Sequence, residues 1–166
     1  WGVLGPNGCG KTTLLFSILG RQAADAGRIV LGAGVRIGYF DQQLADLEED
    51  LPALEAVRPD GREMVDQQRR DLLARFGITG DLVHQPVGSL SGGERNRTAL
   101  ARLSACQANF LVLDEPTNHL DLWSRGSLET ALQEFDGTVL FVSHDRYFLN
   151  QVADHLLVAE EGRFRV

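Results

Sequence analysis

Residues 5–12 read Gly5-Pro6-Asn7-Gly8-Cys9-Gly10-Lys11-Thr12, with the apolar run Trp1–Leu4 before them and apolar residues at helical spacing after them. The pattern GxxxxGK[ST] between a strand and a helix constrains this chain more than any other feature. Its glycines let the backbone curl so that successive N–H groups point inward. A helix starting near Gly10 aims the positive end of its dipole at the same point. Phosphate oxygens suit such a cradle. Lys11 would bridge β- and γ-phosphates as a point charge, and the Thr12 hydroxyl would be a ligand of Mg²⁺. Gly5 to Gly10, Lys11, Thr12 and Thr13 are therefore candidate nucleotide-binding residues. Leu14, Leu15, Ile18 and Leu19 predict a helix over Thr12–Leu19. Cys9 is read as a small residue that fits the loop rather than as a reactive thiol.

The rest of the chain alternates buried strands with helices, which implies an α/β fold with a mainly parallel sheet. Ile29–Leu31 and Val35–Phe40 read as strands around the turn Gly32-Ala33-Gly34. Asp41–Asp60 is acidic and reads mostly as solvated loop. Val65, Leu72, Leu73 and Phe76 predict a helix over Arg62–Phe76, ended by Gly77 and Gly80. Phe110–Leu113 and Thr138–Val142 are continuous apolar runs, the pattern of strands buried on both faces. Leu128, Leu132 and Phe135 mark another helix, and Leu156–Ala159 a third buried strand.

At 166 residues, 43% of them hydrophobic, the chain suits one domain with a real core. Its net charge of −7 excludes a basic nucleic-acid footprint over the whole surface. No apolar run is long enough to span a bilayer, and no signal peptide opens the chain. Cys9 and Cys106 make neither a disulfide framework nor a CxxC site, so a reduced, cytoplasmic protein is expected. No His or Cys spacing suggests zinc. The chain starts at Trp1 and its one methionine is Met64, which reads as a piece of a longer protein.

Phe110-Leu111-Val112-Leu113-Asp114 ends in the carboxylate that a phosphate cradle needs from a neighbouring strand to hold Mg²⁺. Glu115 follows directly, where a base can orient and polarise an attacking water. Leu90-Ser91-Gly92-Gly93-Glu94 opens a helix running to about Cys106 and makes a second anion-binding helix N-terminus. One nucleotide does not need two such cradles from one domain. His144, in Val142-Ser143-His144-Asp145-Arg146, follows a buried strand, at the end where ligands of open α/β sheets bind. An imidazole there can contact a γ-phosphate. His84 and His155 lack that context and are read as structural.

The ordered set of motifs resembles the nucleotide-binding domain of ATP-binding cassette (ABC) ATPases, a P-loop NTPase fold. More narrowly it is similar to the ABC-F subfamily, through Gly38-Tyr39-Phe40-Asp41-Gln42, the run Leu90–Arg97, Glu115-Pro116-Thr117-Asn118-His119-Leu120-Asp121 and the run Ser143–Leu149. The resemblance implies a sheet flanked by helices with a small helical subdomain over about residues 52–106 of a single cassette domain. It implies that Gln42 touches Mg²⁺ and the attacking water, making Thr12, Gln42 and Asp114 the metal ligands. Ser91, Gly92, Gly93 and Glu94 would meet ATP held by a partner cassette, Asp121 would couple the two cassettes, and His144 would be the switch histidine. Glu115, His144 and Gln42 are thus the candidate catalytic residues, with ATP and Mg²⁺ as cofactors.

Members of ABC-F are soluble tandem-cassette proteins, several acting on the ribosome as translation factors and some protecting it from antibiotics. The resemblance therefore implies a second cassette on the parent chain and the ribosome as partners, with no membrane segment. The motor subunit of an ABC transporter and a non-hydrolysing nucleotide-binding regulatory module are the alternatives. The family's first strands, with the aromatic residue that stacks on adenine, would precede Trp1. The isolated chain is accordingly expected to bind nucleotide poorly and hydrolyse little.

Overall fold

The computed structural model describes residues 1–40, 47–59, 63–118, 120–160 and 163–166. Its strands are β1 (Gly2–Leu4), β2 (Ile37–Phe40), β3 (Phe110–Asp114), β4 (Thr138–Val142), β5 (Leu156–Glu160) and β6 (Arg163–Arg165). Its α-helices are α1 (Lys11–Ile18), α2 (Ala53–Ala56), α3 (Asp66–Arg75), α4 (Gly92–Ala105), α5 (Leu122–Gln133) and α6 (Arg146–Val152). Short 3₁₀ turns at Gly80–His84 and Val87–Ser89 lie between α3 and α4.

The strands form one sheet in the order β2-β3-β4-β1-β5-β6, parallel throughout except for the antiparallel β5–β6 pair. This order sets β4 between β1 and β3. The C-terminal ends of the strands that precede Gly5, His144 and Glu115 are therefore neighbours.

Strand alternation divides the core between the two faces of the sheet. Val112, Leu140 and Val142 pack with Val3 and with Leu15 of α1. Leu111, Leu113 and Phe141 face the opposite way, toward Leu100, Leu128 and Phe148 on α4, α5 and α6. The same cluster continues into Leu54, Leu73 and Ile78 of the helical region between β2 and β3. Phe141 and Phe148 meet edge to face with ring centroids 5.1 Å apart. Helices on both faces are what near-continuous apolar strands such as β3 and β4 require.

Three polar N-caps start the later helices. Ser91 and Glu94 form a capping box on α4, with Ser91 N–H donating to Glu94 Oε2 at 2.8 Å and Glu94 N–H to Ser91 Oγ at 3.3 Å. Asp121 Oδ1 accepts the Ser124 N–H at 2.7 Å, and Asp145 Oδ1 accepts from Tyr147 and Phe148.

The sequence reading departs from the structure in several places. Ile29–Leu31 is not a strand, and the strand expected over Val35–Phe40 is confined to Ile37–Phe40. Ile29, Val30, Leu31 and Val35 are exposed. Among the described residues no strand pairs with them, and an isolated two-stranded ribbon is marginal in water. The acidic stretch read as loop contains α2, whose Ala53, Leu54 and Ala56 are buried. The helix expected from Arg62 begins at Asp66, and Val65, placed on its apolar side, is exposed. Helix α6 and strand β6 were not anticipated.

Candidate functional site

The loop after β1 turns into α1 through two residues with left-handed backbone, Gly8 at φ 76° and Gly10 at φ 97°. Only glycine adopts such angles without a Cβ penalty. Lys11 is the first residue of α1 and is buried. Its ammonium donates to the carbonyls of Gly5 at 2.8 Å and Pro6 at 2.9 Å, which tethers the loop to the helix. An ammonium has three donors, so one remains for an anion.

Thr12 follows, and its Oγ1 donates to Asp114 Oδ2 at 3.0 Å. These residues are 102 positions apart, brought together because β1 and β3 lie on either side of β4. A hydroxyl and a carboxylate oxygen this close suit neighbouring ligand positions on a small, hard cation. No group of three or more His, Cys, Asp or Glu side chains gathers as a metal site among the described residues. The donor set fits Mg²⁺, which takes one or two protein oxygens and completes its shell with water and phosphate. It does not fit zinc.

Glu115 has φ 47°, the one positive value outside glycine among the described residues. Its N–H is tied to Val142 O at 3.0 Å, so the strained residue is fixed between β3 and β4. Its carboxylate is largely buried. Oε2 accepts the His144 N–H at 3.3 Å, and Oε1 lies 3.3 Å from His144 Nε2 without the alignment of a hydrogen bond. Burial pushes the Glu115 pKa up. The His144 N–H and ring and the Lys11 charge oppose that rise, while the neighbouring Asp114 charge adds to it. A carboxyl raised in this way is a stronger base when ionised.

These groups line one cleft of about 500 Å³, with Asn7, Gly8, Gly10, Thr13, Asn118 and Val142 completing its walls. That size suits a nucleotide-sized ligand. Asn118 is an addition from the structure. It lies in the turn after Glu115, with its N–H on Glu115 O at 3.1 Å, and the sequence attached no role to it.

The remaining candidates lie elsewhere. Ser91 and Gly92 are exposed at the start of α4, and none of Ser91, Gly92, Gly93 and Glu94 lines the cleft. Asp121 is exposed beside Gly93. Gln42 and His119 lie outside the described residues.

A glycine-rich loop, a Thr–Asp pair and a largely buried carboxylate at the ends of neighbouring parallel strands fit a P-loop NTPase. Comparison with known proteins narrows this. The ABC transporter family profile matches residues 1–118, and the chain belongs to that family. It resembles ABC-F proteins in particular. YdiF of Bacillus subtilis (strain 168) is 47% identical over 93% of this chain and 24% of its own length. ABC transporter F family member 5 of Arabidopsis thaliana is 41% identical over 96% of this chain and 23% of its own. The energy-dependent translational throttle protein EttA of Mycobacterium tuberculosis (strain CDC 1551 / Oshkosh) is 41% identical over 96% of this chain and 29% of its own. The chain thus spans about a quarter of the length of these relatives. Among solved structures, a dimeric post-hydrolysis state of the ATP-binding cassette MJ0796 bound to ADP and Pi superposes with a TM-score of 0.79. That match is 25% identical and covers 99% of this chain and 82% of the other. No described helix is long and apolar enough to cross a membrane.

Proposed function

We propose that this chain is the catalytic cassette of an ATPase, binding ATP with Mg²⁺ and hydrolysing it to ADP and phosphate in the intact protein. The observation that carries the reading is the convergence of Lys11, the Thr12–Asp114 pair and the Glu115–His144 pair in one cleft. Lys11 and the N–H groups of the glycine loop hold the β- and γ-phosphates. Thr12 and Asp114 would hold Mg²⁺, with Gln42 as the third ligand that the family resemblance implies, and the ion would neutralise charge developing on the phosphate oxygens. Glu115 orients the attacking water and accepts its proton. His144, lining the same cleft, contacts the γ-phosphate.

The exposed Ser91-Gly92-Gly93 turn supports a second cassette. It caps a helix N-terminus that this chain's own cleft does not use, so it fits the γ-phosphate of ATP bound by a partner. Pairing with a second cassette is further supported by the dimeric MJ0796 cassette, and Asp121, exposed beside Gly93, would contact it across the pair. The likeness to EttA, named as a translational throttle protein, supports a role in translation, and we infer that the intact protein acts on the ribosome in the cytoplasm.

Lys11→Ala in the intact protein tests nucleotide recognition. The expected result is weaker binding of a fluorescent ATP analogue by about tenfold or more, the scale of a charge-assisted contact. Unchanged affinity overturns the assignment of this cleft.

A further inference from the structure

The turn after β3 and the loop after β4 are joined by a contact that does not reach the cleft. The turn begins at Glu115 and is closed by the Asn118 N–H on Glu115 O at 3.1 Å. The loop carries His144 between Ser143 and Asp145. Thr117 Oγ1 of the turn lies 3.3 Å from Ser143 Oγ of the loop. Both residues are buried, Thr117 at 6% exposure and Ser143 at 0%. Ser143 Oγ also accepts the Asp145 N–H at 3.1 Å. Neither Thr117 nor Ser143 lines the cleft.

The main chain beside this contact carries two of the groups that do line it. The His144 N–H donates to Glu115 Oε2 at 3.3 Å, and the Glu115 N–H donates to Val142 O at 3.0 Å. The first of these bonds depends on how the peptide between Ser143 and His144 is turned. The same peptide leads into the His144 side chain, which is 50% exposed and gains little orientation from packing. Ser143 Oγ fixes the peptide one step further on, through the Asp145 N–H, and Thr117 holds Ser143 Oγ. A buried pair of hydroxyls adds little net stability over an apolar pair of the same shape. What the pair supplies is direction, because a hydrogen bond fixes an angle where an apolar contact does not.

We propose that Thr117 and Ser143 are positioning residues for ATP hydrolysis, a buried hydroxyl clamp that holds the His144 peptide against Glu115. The proposal rests on the ATPase reading above and deepens it. The clamp touches no nucleotide and acts only through Glu115 and His144, keeping the base and the imidazole in one arrangement. Both residues stand inside motifs that the sequence picked out, without a role of their own. A hydroxyl shows its partner only once β3 and β4 lie side by side.

The test is steady-state ATP turnover of the intact protein carrying Thr117→Val or Thr117→Ser, with the melting temperature of each. Valine keeps the shape and loses the hydroxyl, whereas serine keeps the hydroxyl and loses a buried methyl group. The expected result is a kcat about fivefold lower for Thr117→Val, the scale of one hydrogen bond, with KM for ATP unchanged. Thr117→Ser is expected to melt at a lower temperature yet keep most of the wild-type kcat, so that the rate follows the hydroxyl and not the stability. Ser143→Ala gives the same fall in kcat and stands in if Thr117→Val does not fold. The double variant Thr117→Val with Ser143→Ala should be no slower than the slower single one, since both break one link. A kcat near the wild type in Thr117→Val, or in Ser143→Ala where that stands in, overturns the proposal. So does a Thr117→Ser kcat as low as that of Thr117→Val, a pair of losses that multiply, or a fall in kcat matched by a rise in KM. Wild-type turnover, measured alongside, reports on the ATPase reading itself. Without it that reading fails and the clamp falls with it, whereas wild-type turnover with an unaffected Thr117→Val variant removes the clamp alone.

Discussion

Glu115 combines two costs, a left-handed backbone and a largely buried carboxylate, and both are consequences of standing where β3 ends beside β4. Because burial raises its pKa, the folded chain retains a proton that the unfolded chain would already have released. The stability this group contributes is fully present below the ordinary carboxyl range and is lost as pH rises through the raised value. Glu115→Gln stays neutral throughout. It is expected to melt at a higher temperature than the wild type at neutral pH, with the gap closing as the pH falls to about 4. Thermal melts at the two pH values read this directly. Gly10 carries a different cost. Its surroundings leave room for a methyl group, so Gly10→Ala tests backbone strain alone. The substitution is expected to destabilise by about 1–2 kcal/mol in a denaturant titration. Lys11, Thr12, Asp114, Glu115 and His144 were legible in the sequence because each sits in a local pattern beside a strand end. Asn118 was not, because its place in the Glu115–Asp121 motif carries no chemistry by itself, and only the fold sets it on the wall of the cleft.

At the level of elements, the strands buried on both faces were the most readable. Phe110–Leu113 and Thr138–Val142 announce themselves by unbroken apolar sequence, and the structure adds only Asp114 to the first. The apolar runs at Ile29–Leu31 and Val35 carried the same signal, yet they form no strand there. A strand needs a neighbour, and propensity does not supply one. Helix α2 was missed because it is four residues long within an acidic stretch, and tertiary burial of Ala53 and Leu54 holds it. Helix α4 was readable from Ser91 onward, and its capping box explains why it starts there. Ser91→Ala removes the oxygen that accepts the Glu94 N–H. The expected loss is about 1 kcal/mol of unfolding free energy, read as a lower midpoint in a denaturant titration.

Over the whole molecule, the sheet order decides what the parts can do together. With β4 between β1 and β3, three loops distant in sequence share one rim, and the cleft forms there. The order itself was not legible, since alternation of strands and helices fixes a parallel sheet without saying which strand lies beside which. The second cradle at Ser91 does not line the cleft, and the proposed function assigns it to the nucleotide of a partner cassette. Ser91→Glu would set a carboxylate against the partner's γ-phosphate. In the intact protein this variant is expected to bind ATP at the Lys11 cleft while losing most turnover, as followed by nucleotide binding and phosphate release in parallel.

The most direct test of the central claim is Glu115→Gln in the intact protein, with ATP affinity and phosphate release measured on the same preparation. The account predicts affinity close to the wild type and turnover reduced by at least about a hundredfold, the lower end for loss of a general base. Turnover near the wild-type rate would contradict it.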